Sequence, residues 1–170
     1  MAEQFLIAAL NPDATQKVVA LYRAAAGGNG GLARTAEEID DAYVRSFLER
    51  AQASGVSRAA FAPDGTLAAE IHALRMVPKQ FAHVLTDLTV AVHPDWQYKG
   101  LGTLLFEKLI EAARALTPPI ARIELMAREG NAGAIRLYQR VGFKIEGRFE
   151  GRVQLADGRV EDDIAMAMLL

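Results

Sequence analysis

Apolar positions along the chain recur with two spacings, short runs of strand length and stripes with helical period. Residues 4–10 form an apolar run of the first kind. Asn11-Pro12 follows as a helix N-cap with proline at the first helical position. Val18, Tyr22 and Ala25 then carry one apolar face to a glycine cluster, residues 27–31, which reads as a loop rather than a domain linker. Thr35-Ala36-Glu37-Glu38 matches a capping box. Behind it Ile39, Tyr43, Phe47 and Ala51 recur every four residues, which predicts a second helix.

Residues 57–61 and 67–76 flank the turn Pro63-Asp64-Gly65 and predict a hairpin. Residues 84–92 make a further strand, ended by Pro94. Leu101, Leu105, Leu109, Ala112 and Leu116 mark a helix that stops at Pro118-Pro119. Residues 120–126 read as a strand, and residues 131–141 as a helix closed by Gly142. Residues 143–155 and 159–169, around Asp157-Gly158, form a last hairpin. The order β-α-α-β-β-β-α-β-α-β-β predicts an α/β fold: a mixed sheet with parallel strand pairs from Val84 onward and helices on its faces.

A length of 170 residues suits one domain, taken here as residues 1–170. The absence of cysteine removes disulfide frameworks, thiolate metal sites and a cysteine nucleophile. A net charge of −2 argues against a nucleic-acid-coating surface. No run approaches the ~20 apolar residues of a membrane span, and Met1-Ala2-Glu3-Gln4 lacks a basic signal-peptide start. A cytoplasmic protein with no nucleic-acid or membrane partner is expected.

The chemistry concentrates at Val90-Ala91-Val92-His93-Pro94-Asp95-Trp96-Gln97-Tyr98-Lys99-Gly100-Leu101-Gly102-Thr103. A strand ends there, and two glycines open a helix whose first amides lack partners. Such a start can cradle a diphosphate. The Walker pattern and the dinucleotide fingerprint are both absent. On these residues alone, an anion site and a plain glycine-softened turn both stand.

Gln97-x-x-Gly100-x-Gly102 after Val92-x-Pro94 resembles the acetyl-coenzyme A signature of the GNAT N-acetyltransferases. Asn131-Ala132-x-Ala134-Ile135-x-Leu137-Tyr138-x-x-x-Gly142-Phe143 resembles that family's second cofactor segment. The likeness runs from about Asp87 to Phe149. Asp157-Gly158-Arg159 and Asp162-Asp163 resemble the ribosomal-protein N-terminal acetyltransferase branch.

The resemblance implies the GNAT fold, with a parallel pair at its centre, and acetyl-coenzyme A (acetyl-CoA) as cosubstrate without a metal. It implies that Val90, Ala91 and Val92 bond the pantetheine arm through their main chain. Gln97 belongs to the signature, and the amides of Tyr98, Lys99, Gly100, Leu101, Gly102 and Thr103 would hold the diphosphate. Asn131 would contact the cofactor near its pantetheine end, and Tyr138 would be the general acid. Two helical turns separate Asn131 from Tyr138, which puts both on one helix face. A phenol of pKa about 10 suits a leaving thiolate whose acid has a pKa of about 8.5. Outside the resemblance, Tyr138 reads first as a core aromatic.

The ribosomal branch places a glutamate base where this chain has Met126. Glu124 shares that strand face, and Asp87 and Glu70 are further base candidates. Each also reads as a solvated or salt-bridged carboxylate, and ordered water is the alternative to any of them. His72, His83 and His93 lack metal-site spacing. Lys99 reads as an added cation for the diphosphate or as a solvated lysine, Trp96 as an anchor of its loop rather than a ring packed beside the cofactor, and Arg34 as a solvated arginine near the acceptor.

The expected activity is acetyl transfer from acetyl-CoA to a primary amine by direct attack in a ternary complex. The acceptor is a small amine, an amino acid or a protein N-terminus. The alternative is a non-enzymatic acyl-CoA sensor on the same fold; a nucleotide-binding domain would need a magnesium ligand beside the glycines. A homodimer is an expectation of the resemblance alone.

Overall fold

A computed structural model of the chain describes residues 5–27 and 32–170. In chain order its elements are β1 (Leu6–Ala8), α1 (Thr15–Ala26), α2 (Asp41–Ser54), β2 (Val56–Phe61), β3 (Leu67–Arg75), β4 (Val84–Val92), α3 (Leu101–Arg114), β5 (Arg122–Arg128), α4 (Ala132–Val141), β6 (Lys144–Gln154) and β7 (Val160–Leu169). The strands form one mixed sheet in the order β1-β2-β3-β4-β5-β7-β6.

Helices lie on both faces. On one face α1 and α2 bury Val18, Tyr22, Phe47 and Leu48 against Ala59, Leu74 and Ala91. On the other, α3 buries Leu105, Phe106 and Leu109 against Ile71, Leu85, Ile123 and Met166, and α4 packs Leu137 and Tyr138 onto the same cluster. Each such large apolar side chain contributes about 1.5–3 kcal/mol on burial.

Two predicted ends move. Pairing of β1 with β2 spans only Leu6 to Ala8, because Leu10 gives its N–H to the Ser57 hydroxyl at 3.0 Å and accepts back from it at 3.3 Å. A side chain there takes the place of a strand partner. The Glu38 carboxylate does accept from the Thr35 N–H at 2.8 Å, but that box closes a separate 3₁₀ turn, Ala36–Glu38. Helix α2 starts afresh on Asp40, whose side chain accepts from the Tyr43 N–H at 2.8 Å. Of the glycine cluster, residues 28–31 lie outside the described residues, as does residue 4 of the first run.

Several parallel pairs were expected from Val84 onward; the hydrogen-bonded one is β4–β5, and it is brief. It holds Val84 opposite Arg122 and Leu85 opposite Ile123. Strand β7 inserts between β5 and β6, antiparallel to both, so those two run in one direction without touching as neighbours. Beyond Leu85, β4 stays with β3 but carries an extra residue against it, since Leu74 faces Thr86 while His72 faces Thr89. Asp87 sits in that bulge at φ +51°. Such a bulge bends and twists its strand, and here β4 leaves β5, which follows β7 along its whole length.

Candidate active site

The divergence of β4 and β5 opens a cavity of about 870 Å³, within the range of small-molecule sites. One wall is Val90, Ala91 and Val92 of β4. Their β5-facing main-chain groups have lost the strand neighbour that Val84 and Leu85 keep, which is the condition for adding an extended ligand.

The start of α3 closes one end. Gly100 is left-handed at φ +83°, and no side chain caps the helix. In α2 and α4, by contrast, Asp40 and Asn131 supply that acceptor. The first-turn donors at Leu101, Gly102 and Thr103 therefore face the cavity without an intrahelical acceptor. Gly102 also allows α3 to approach α4: a Cβ there would stand 3.0 Å from Leu137 Cδ2. Gln97 ties the loop to the strand end, its Nε2 donating to the Val92 carbonyl at 3.3 Å.

The Lys99 side chain is engaged outside the cavity. Its ammonium donates to the Asp95 carbonyl at 2.8 Å and stands 4.6 Å from the Trp96 ring centroid, and it is not among the residues lining the cavity. Trp96 packs edge-on against Phe5, as an anchor does.

Asn131 and Tyr138 both line the cavity. Asn131 Oδ1 accepts from the Ala134 N–H at 3.2 Å, so the same side chain caps α4. The Tyr138 ring lies edge-on to Phe106 at 5.4 Å and tilted against Phe143 at 6.3 Å. That burial pushes its phenol up to about 12.

The candidate bases separate. Glu124 lines the cavity but accepts from Arg122 Nε at 3.0 Å, and Arg122 also holds Glu146 at 2.9 Å. Asp87 is at the rim, 63% exposed and 3.7 Å from Arg50. Glu70 is away from the lining, fully buried between β3 and α1. There the Tyr22 hydroxyl donates to it at 2.5 Å, with His72 Nδ1 3.3 Å away, and burial together with Glu70 raises the Tyr22 phenol well above its ordinary value. Arg34 stacks on Tyr43 at 4.2 Å, beside Leu32 and Ala33 of the cavity wall.

Sequence reasoning overlooked the contribution of the last hairpin. Asp163, Phe149 and Val153 line the same cavity as Met126. Asp163 faces Arg128 across β5–β7, two pairs along from Ala165 opposite Met126, so it shares the Glu124–Met126 face. Period-two parity gives the face of each strand, but only the insertion of β7 beside β5 brings the two faces together. Among the described residues, no three His, Cys, Asp or Glu side chains gather as metal ligands, and no helix is long and apolar enough to cross a membrane.

Known proteins share this fold. Over 83 residues the chain is 39% identical to the ribosomal protein bS18-alanine N-acetyltransferase of Escherichia coli K12, covering 49% of this chain and 54% of that protein. It is 45% identical over 62 residues to an L-methionine sulfoximine/L-methionine sulfone acetyltransferase of Pseudomonas aeruginosa, covering 35% and 34%. The chain thus spans about half the length or less of these curated relatives. The crystal structure of a ribosomal-protein-alanine N-acetyltransferase from Brucella melitensis superposes with a TM-score of 0.82 at 25% identity, over 97% of this chain and 99% of that one. Residues 32–143, which hold the α3 entry, Asn131 and Tyr138, match the acetyltransferase (GNAT) family. The chain belongs to the GNAT family of acetyltransferases.

Proposed function

We propose that the chain transfers an acetyl group from acetyl-CoA to a primary amine by direct attack in a ternary complex. The acceptor is a small amine, an amino acid or a protein amino terminus. One observation carries this reading. A single cavity joins an uncapped helix start, an unpaired strand edge and a buried phenol to the carboxylate-bearing face of β5 and β7.

Acetyl-CoA, when bound, supplies an activated acetyl carbon and a thiolate leaving group. The amides from Tyr98 to Thr103 hold its diphosphate, with the α3 dipole adding roughly half a positive charge. Val90, Ala91 and Val92 bond the pantetheine arm as an added strand. Asn131, fixed by its own capping bond, meets that arm near the reacting end. Tyr138 stays protonated at neutral pH, because burial holds its phenol near 12. A thiolate whose acid has a pKa of about 8.5 is too weak a base to strip that phenol. Tyr138 therefore stabilises the departing sulfur chiefly by hydrogen-bond donation.

The test is thiol release from acetyl-CoA across amines, amino acids, polyamines, aminoglycosides and short peptides. Release with at least one class supports transfer. Tight acetyl-CoA binding with no release from any class favours the sensor instead.

A further inference from the structure

We propose that Asp163 is a catalytic residue of this cavity, the carboxylate that takes the proton from the acceptor's ammonium group. This rests on the acetyl-transfer reading above. A primary amine is protonated at neutral pH, with a pKa of about 8 for an α-amino group and about 10.4 for a lysine-like one. It must lose a proton before its nitrogen can attack.

The cavity is lined by the carboxylates of Asp87, Glu124, Glu146 and Asp163. Glu124 and Glu146 grip Arg122 from two sides, at 3.0 Å and at 2.9 and 2.5 Å. That guanidinium engages both carboxylates and offsets one of their two charges. Asp87 is mostly in water on a bulged strand, beside Arg50. Asp163 also has an arginine beside it, but it is far less exposed than Asp87 and, among the described residues, is held by no short hydrogen bond of the kind that engages Glu124 and Glu146. Its side chain is 13% exposed, and its ion-pair partner Arg152 stands 3.6 Å away, with a side chain 53% exposed.

The strand beneath it is held on both edges, with Asp163 opposite Arg128 of β5 and Phe149 of β6. A side chain on a doubly paired strand is aimed more firmly than one on a loop. The charged groups facing Asp163 are Arg128 from β5 and Arg152 from β6. Glu161, two residues back on the same face of β7, accepts from the Gly130 N–H at 3.3 Å, and Met126, Ala165 and Phe149 on that face are uncharged. An incoming ammonium thus meets a shielded carboxylate.

In the step, the R–NH₃⁺ group gives one proton to the Asp163 carboxylate. The freed nitrogen lone pair forms the C–N bond as the C–S bond breaks. The nitrogen then sheds a second proton, which neutralises the thiolate held by Tyr138. Asp163 returns its proton to solvent, so one proton is released per amide formed.

The experiment compares wild type with D163N, R152M and the double variant M126E/D163N. The probes are acetyl-CoA with short peptides bearing a free amino terminus and with free amino acids. D163N is expected to lose roughly 10²–10⁴-fold in kcat/KM near pH 7. That loss shrinks as pH approaches the acceptor's own pKa, where the amine arrives deprotonated. Acetyl-CoA binding by calorimetry and the melting temperature stay close to wild type. R152M retains turnover, and M126E, which places a carboxylate on the same face two residue pairs away, recovers at least about tenfold in the D163N background. D163N matching wild type in rate and pH profile overturns the proposal, and so does R152M reproducing the full loss. A wild-type chain that releases no thiol with any probe overturns the transfer reading itself.

Discussion

The two ends of the cavity are built from different materials. The end at β4 and α3 presents main chain: the edge of Val90–Val92 and the first-turn amides after Gly100. The end at β5, β7 and β6 presents side chains: Glu124, Met126, Asp163 and Phe149. Main-chain recognition tolerates change in the side chains it passes and suits a constant ligand. Side-chain recognition changes with each substitution and suits the acceptor, which varies across a family. Tyr138 stands where the ends meet, so its substitution separates them most sharply. Tyr138→Phe should lower kcat by roughly 10²–10⁴-fold while leaving the acetyl-CoA dissociation constant nearly unchanged. A parallel loss of binding would place the phenol in the main-chain end. The phenol is held near 12 by burial. Its protonated form therefore persists through the range in which an amine deprotonates, so a rate profile should rise with pH without a falling limb below about pH 10.

A second contrast lies behind the acceptor wall. Helix α1, which lends Ala25 to the cavity, is fastened to β3 by the buried Tyr22–Glu70 hydrogen bond. Tyr22→Phe leaves Glu70 buried without that donor and should cost about 1–3 kcal/mol, read as a lower denaturation midpoint at constant slope. The native phenol is raised well above its ordinary value by burial and by Glu70. Its contribution is present below about pH 10, where both folded and unfolded chains keep the proton. It is lost as pH climbs past that point, because the unfolded chain ionises first. The wild type should thus lose more stability than Tyr22→Phe between about pH 10 and 11.5. Equal losses would show that Tyr22 ionises as readily in the fold as out of it.

The contrast between the ends also explains what was legible beforehand. Gly100, Gly102 and the Asn131–Tyr138 spacing are local signals, and the main-chain end follows from them. Helix α4 and its Gly142 stop, left-handed at φ +119°, were equally local. The side-chain end depends on β7 slipping between β5 and β6 and on the Asp87 bulge that parts β4 from β5. Neither has a local signature, since a period-two pattern states a face and not a neighbour. Glu70 illustrates the cost: its strand was legible, but its burial with Tyr22 and His72 arises between α1 and β3, 48 residues apart along the chain for the Tyr22 pair.

Gly100 tests whether the main-chain end needs its backbone shape. A Cβ there meets nothing within 4 Å, so any effect of Gly100→Ala comes from φ +83° alone. Holding alanine left-handed costs about 1–2 kcal/mol. If ligand binding demands that shape, acetyl-CoA affinity should fall about tenfold with kcat at saturation retained. Unchanged affinity would mean that the amides at α3 reach their positions by another route.

The smallest effect is expected at Lys99, and it discriminates well because charge and main chain make opposite forecasts. Its ammonium is engaged by the Asp95 carbonyl at 2.8 Å and covers Trp96. Lys99→Met should therefore change acetyl-CoA affinity by less than about threefold, as exposed charges commonly do. A diphosphate held by the lysine would bind more weakly as salt rises, and the variant would lose that dependence. A diphosphate held by amides at a helix start keeps the same salt dependence with or without the lysine. Matching slopes of affinity against ionic strength for wild type and Lys99→Met would leave the main chain as the element that binds.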